Sequence, residues 1–168
     1  LEDVFFSGSG HPGDMADFVK KVLQTNHCIT EIAFGAIMFY QEDMETICSA
    51  FKWRIDIDEF QLGKCFIDGI DTQKLEKILT TTNAVGSKGM SLRLNENGMS
   101  SREAAVIAEF LSSDPTLFHL DVSKNRFNDP DAAVLANALS NNNNLGSLIV
   151  DNNMIRENGR LAFLRTIF

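Results

Sequence analysis

Residues 4–23, VFFSGSGHPGDMADFVKKVL, place an apolar run before Gly8-x-Gly10-x-x-Gly13 and an amphipathic stretch after it. That is the order a dinucleotide-binding turn needs: glycines let the backbone approach a pyrophosphate, and a helix N-terminus receives its charge. Glu31 stands roughly where a ribose-binding acid would be sought. A second candidate is His27-Cys28, a base beside a nucleophile. Adjacent residues on an extended segment point opposite ways, so the two are not expected to meet. His11, His27 and His119 show no HExxH or other metal-ligand spacing. Cys48 falls on a helical stripe and Cys65 in a turn, and both read as buried structural thiols. No nucleophile elbow or phosphate-loop signature occurs. The expectation is therefore a non-enzyme with no catalytic residues, no cofactor and no metal.

Whether the glycines are chemistry or punctuation depends on the elements around them, and those elements repeat. LFHLDVSKNRF from Leu117 and LGSLIVDNNMI from Leu145 align Leu117, Leu120, Val122, Asn125 and Phe127 with Leu145, Leu148, Val150, Asn153 and Ile155, 28 residues apart. One step back lie Leu92, Leu94, Asn97 and Met99. A 32-residue step then reaches Ile57, Phe60, Leu62, Cys65 and Ile67, placing four extra residues within NAVGSKG. Two more steps of 28 land on Ile29, Ile32, Phe34, Ile37 and Phe39, and on Leu1, Val4, Phe6, Ser9 and His11. Alternate side chains of each short strand point inward. Between strands, each copy offers a helix: Ala105, Ile107, Ala108 and Leu111 recur as Ala133, Leu135, Ala136 and Leu139. Val19 with Leu23, Ile47 with Phe51, Leu75 with Leu79, and Phe163 with Ile167 keep the same i,i+4 relation. Ser100 with Glu103 reads as a capping box, and Asn128 ahead of Pro130 as a helix start. Phe51 and Trp53 close the second helix.

This pattern resembles the leucine-rich repeat, L-x-x-L-x-L-x-x-[N/C]-x-L, of the long ribonuclease-inhibitor-like subtype, over essentially the whole chain. The resemblance implies an α/β fold: a right-handed horseshoe with parallel strands on the concave face and helices on the convex face. It implies one domain, residues 1–168, in six repeats of about 1–28, 29–56, 57–88, 89–116, 117–144 and 145–168. Asn97, Asn125 and Asn153 would form a stacked ladder in the turns. The glycines of repeat one then fall in the post-strand turn, a slot for small residues that requires no ligand. Both ends are apolar, with Leu1 opening a strand and Leu161, Leu164, Ile167 and Phe168 closing the chain, which leads us to expect a piece of a longer protein.

Composition narrows the partners. A net charge of −8 disfavours nucleic acid and anionic membranes. No apolar run reaches the 18 or so residues of a membrane span, and the start lacks the basic and apolar regions of a signal peptide. An odd set of cysteines without CxxC spacing leans cytoplasmic. On the resemblance, binding residues lie on the inner strand face, where Asp3, Glu31 and Glu59 would form an acidic column suited to a basic protein partner. Phe5, Arg93, His119, Asp121 and Asp151 complete the expected protein-binding set, with Arg93 and Asp121 paired. The expected function is a non-enzymatic interaction module. The alternative is the regulatory repeat domain of a small-GTPase-activating, immune-receptor-like or ubiquitin-ligase-associated protein, and the resemblance also leaves tropomodulin-like actin capping open.

Overall fold

A computed structural model describes residues 2–8, 11–51, 54, 56–66 and 69–167, without the side chains of residues 12, 41, 85–88 and 167. Trp53 and the Ser9 turn position lie outside the described residues. Strand and helix alternate along the chain: β1 (Asp3–Ser7), α1 (Pro12–Thr25), β2 (Glu31–Gly35), α2 (Gln41–Ala50), β3 (Ile57–Gly63), α3 (Thr72–Val85), β4 (Gly86–Arg93), α4 (Ser101–Ser112), β5 (His119–Asp121), α5 (Asp129–Leu139), β6 (Ser147–Ile149) and α6 (Glu157–Ile167). The strands form one parallel sheet in chain order, β1 to β6. The fold class is thus α/β.

The pairing register matches the sequence repeat. Phe6 lies beside Phe34, Phe34 beside Leu62, Phe60 beside Leu92, and Leu92 beside Leu120. Strand alternation sends these residues to one face, where Ile32, Phe34, Phe60, Leu62, Leu92, Leu94, Leu120 and Val122 are buried against the helices. Val19, Leu23, Ile47, Phe51, Leu75 and Leu79 meet them from the helical side. In α4 and α5 the expected stripe holds at Ile107, Ala108, Leu111, Leu135 and Ala136, and only its first member differs. Ala104 and Ala132 are buried while Ala105 and Ala133 are exposed, because the 3.6-residue turn sets Ala104 on the side of Ile107, Ala108 and Leu111.

Helix starts are marked as the sequence suggests. The Ser100 N–H donates to Glu103 Oε2 at 2.7 Å. The Asn128 N–H donates to Asp131 Oδ2 at 2.9 Å, and the Asp131 N–H donates back to Asn128 Oδ1 at 3.2 Å. The long third unit takes up its extra residues where α3 ends at Val85 and β4 begins at Gly86, and the β3–β4 register shifts between Ile57 and Glu59.

Each strand leaves the sheet through the same backbone device. Gly8, Ala36, Lys64, Glu96, Lys124 and Asn152 all have positive φ, 102° at Gly8 and between 54° and 59° at the others. The N–H groups of Ala36, Lys64, Glu96 and Lys124 donate to the carbonyls of Gly63, Asn95, Ser123 and Asp151 in the next unit. Gly8 therefore belongs to a conformation common to all six units, and Gly13 lies inside the first turn of α1 rather than in the post-strand turn. Gly8 and Gly13 thus have places in the repeated strand–helix geometry, while Gly10 lies outside the described residues.

Candidate protein-binding face

The sheet face turned away from the helices carries the residues with chemistry to offer. Asp3, Glu31 and Glu59 are direct neighbours across β1, β2 and β3. Like charges placed opposite one another oppose folding, and the effect falls on the middle member. Glu31 titrates above the ordinary glutamate value, chiefly because part of its hydration is lost, and then because of the charges of Asp3, Glu59 and Asp58, which Arg93 partly offsets.

Arg93 relieves the third member of the column. Its Nε lies 3.0 Å from Glu59 Oε1, and its Nη2 donates to Glu59 Oε2 at 3.3 Å. The expected pairing with Asp121 is corrected here. Although Arg93 and Asp121 are strand neighbours, the guanidinium turns diagonally to the carboxylate that sits in the more negative surroundings. Asp121 instead accepts the Ser123 N–H at 2.8 Å. The net result is a column whose first two carboxylates face solvent and whose third is neutralised.

Phe5 is 65% exposed on this face. Its ring lies across β2 over Gly35, where even an added Cβ would stand in ordinary contact at 3.5 Å. Gly63 is more tightly placed, since a Cβ there would meet the Asn95 amide at 3.3 Å. Further along, Ser91 and His119 are strand neighbours and both half-buried. Ser91 Oγ and His119 Nε2 are shielded from solvent without a hydrogen-bond partner among the described residues. Sequence reasoning singled out His119 but passed over Ser91, whose significance depends on the register. Asp151 stands apart from this group: β6 ends at Ile149, and Asp151 is exposed in the following turn.

Of the three free thiols, Cys28 is exposed, whereas Cys48 and Cys65 are buried. Burial pushes the Cys48 thiol up, and it pushes Cys65 up to about 12. Cys65 Sγ donates weakly to the carbonyls of Gly63 at 3.4 Å and Phe34 at 3.6 Å, a bracing role. Arg54 is a structural group that the sequence did not reveal. It is 2% exposed and donates to Asp56 Oδ1 at 2.7 Å, to the Asn26 carbonyl at 2.9 Å and to the carbonyl of Ile29. The guanidinium thereby ties down the loop between α1 and β2, backbone included. No cluster of metal-ligating side chains occurs among the described residues, and none of their helices is long and apolar enough to cross a membrane.

No family model and no curated protein matches the chain. Among solved structures, it is similar to a Caenorhabditis elegans tropomodulin C-terminal domain, at 16% identity and a TM-score of 0.58, covering 74% of this chain and 75% of that one. It is also similar to leiomodin-1 actin-binding site 2, at 16% identity and a TM-score of 0.65, covering 95% of this chain and 89% of that one. These findings correct the resemblance drawn from the sequence. The assignment to the leucine-rich-repeat family of ribonuclease-inhibitor-like type is withdrawn, because the neighbours are tropomodulin and leiomodin domains and no family model supports it. The physical reason is that a 28-residue period with inward apolar alternation is a demand of the strand–turn–helix unit itself, so it reports geometry rather than lineage. What the chain has in common with the tropomodulin and leiomodin domains is its fold.

Proposed function

We propose that this chain is a single, non-enzymatic protein-binding domain that receives its partner on the open face of the sheet and works in the cytoplasm. The observation that carries the reading is the acidic column beside Phe5. Asp3 and Glu31 are held next to each other at a cost to the fold, with an exposed ring at their flank. A basic partner surface would relieve that repulsion on docking, and complementary charge would speed and orient the encounter. Phe5 supplies an apolar anchor, and Arg93, His119, Asp121 and, at the margin, Asp151 complete the contact set. A sheet already in place demands little ordering when the partner arrives.

Actin is the partner to test first, because a neighbour of the same fold, aligned over nearly its whole length, is itself named as an actin-binding site. The experiment measures binding to monomeric actin by titration and to filaments by co-sedimentation, at several salt concentrations. Wild-type chain is compared with Glu31→Lys/Glu59→Lys and with Phe5→Ala. Saturable binding that weakens with salt, and weakens further in both variants, supports the reading. Binding unaffected by the variants removes the sheet face as the site. If actin does not bind, the same variants in a pull-down from cell extract test the face against other proteins.

A further inference from the structure

The helix layer is unevenly packed, and the unevenness centres on α3. α1 lies close against α2, and α5 close against both α4 and α6, whereas α3 meets α2 and α4 along much less of its length. This is the helix of the long unit, whose chain continues directly from Val85 into β4. A groove opens on each side of it. The α2–α3 groove, about 360 Å³, is lined by Met44, Glu45, Gln73, Lys74 and Lys77, a mixture of charges in which Lys74 already pairs with Asp71 at 2.9 Å.

The α3–α4 groove differs in character. It holds about 400 Å³, with buried Leu79 as its floor and half-buried Val106 and Phe110 as its wall. Its rim carries the exposed carboxylates of Glu76 and Glu109, one on each helix, and no cation lines it among the described residues. The hydroxyls of Thr80 and Ser113 are spent on their own helices, donating to the carbonyls of Glu76 at 2.8 Å and Phe110 at 2.7 Å. The groove therefore offers an apolar trough between two negative edges, with little hydrogen-bonding specificity for a small polar ligand. A trough between two helices accepts the ridge of a third.

We propose that the α3–α4 groove is a second docking surface, taking an amphipathic helix of a partner protein. Apolar residues at i and i+4 of that helix fill the trough, and flanking Lys or Arg meet Glu76 and Glu109. The site lies on the helical side of the molecule and does not depend on what binds the sheet. Its test is an NMR titration of the isotope-labelled chain with a synthetic amphipathic helix of Leu, Lys and Arg. The control is a peptide with the same apolar residues and Glu in place of every cation. Expected are amide shifts gathered around Leu79, Val106 and Phe110 for the basic peptide, and none for the acidic one. Affinity should fall about fivefold in Glu76→Lys/Glu109→Lys, whose exposed positions leave the fold intact, and further in Val106→Gln. The proposal is overturned if both peptides bind alike, if neither binds, or if the shifts gather at Phe5 and Glu31 on the sheet.

Discussion

Between β1 and β3 the space beneath the sheet is filled by rings. Phe6 stacks on Phe34 at 5.2 Å, Phe39 meets Phe34 edge-on at 5.0 Å, and Phe51 meets Phe60 at 4.8 Å. Between β4 and β6 the corresponding positions hold Leu92, Leu94, Leu120, Val122 and Leu148, and the turns are tied by amides instead. Asn125 Oδ1 accepts the N–H groups of Asn97 and Met99, both at 3.0 Å, while its Nδ2 donates to the carbonyls of Val122 at 2.9 Å and Leu94 at 3.1 Å. Asn97 grips the preceding unit through Cys65, Phe66 and Leu62, and Asn153 grips Phe127, Val122 and Val150. One backbone thus recurs with two kinds of cement. Bulky non-directional packing serves the first half, and a directional polar ladder the second.

The largest expected effect that probes this contrast is in the aromatic half. Phe34 touches Phe6, Phe39 and Phe60 and is fully buried. Phe34→Ala should cost about 4 kcal/mol in urea unfolding, the loss of transferred surface plus an unfilled cavity. Asn125→Ala follows at about 3 kcal/mol, because it leaves several backbone groups in the turn without partners. If the Asn125 variant cost no more than an ordinary surface change, the ladder would be ornament and the contrast would fail.

A smaller effect concerns what both halves share. Ala36 sits at φ 56° with a Cβ that disfavours that conformation, in the slot where the first unit has Gly8. Ala36→Gly should stabilise by up to about 1 kcal/mol, since relief of strain outweighs the added freedom of the unfolded chain. Thermal unfolding of the single variant would check it.

The smallest effect lies on the sheet face. The raised titration of Glu31 means that folding favours its protonated form, so ionisation weakens stability as pH rises from the ordinary glutamate value through the elevated folded one. Glu31→Gln should therefore melt slightly above wild type at neutral pH. The gap should close as pH falls through the carboxylate range. A gap that widened on acidification would contradict the crowding of Asp3, Glu31 and Glu59.

Much of the architecture was legible because its cause is periodic. The inward alternation at Phe34, Leu62, Leu94 and Val122 and the amides at Asn97, Asn125 and Asn153 recur every 28 residues, save for the 32 between Leu62 and Leu94, and the structure aligns them. The acidic column followed from that register alone. What the register could not reveal depends on side-chain direction. The guanidinium of Arg93 chose Glu59 over its strand neighbour Asp121, and Arg54, outside the repeat pattern, folded inward to hold carbonyls. The first member of the buried stripe of α4 was misread by one residue because Ala104 and Ala105 have the same composition signal and differ only in helical phase. The lineage was misread for a deeper reason, since repetition constrains shape far more tightly than ancestry.

Strand order that follows chain order has a mechanical corollary. Among the described residues, the principal packing joins elements of the same or neighbouring units. Pulled from its termini, such a chain should peel away one layer after another and re-form the same way on relaxation. It would behave as an extensible spring that yields in steps, whereas a molecule with interleaved strands would hold and then rupture at once.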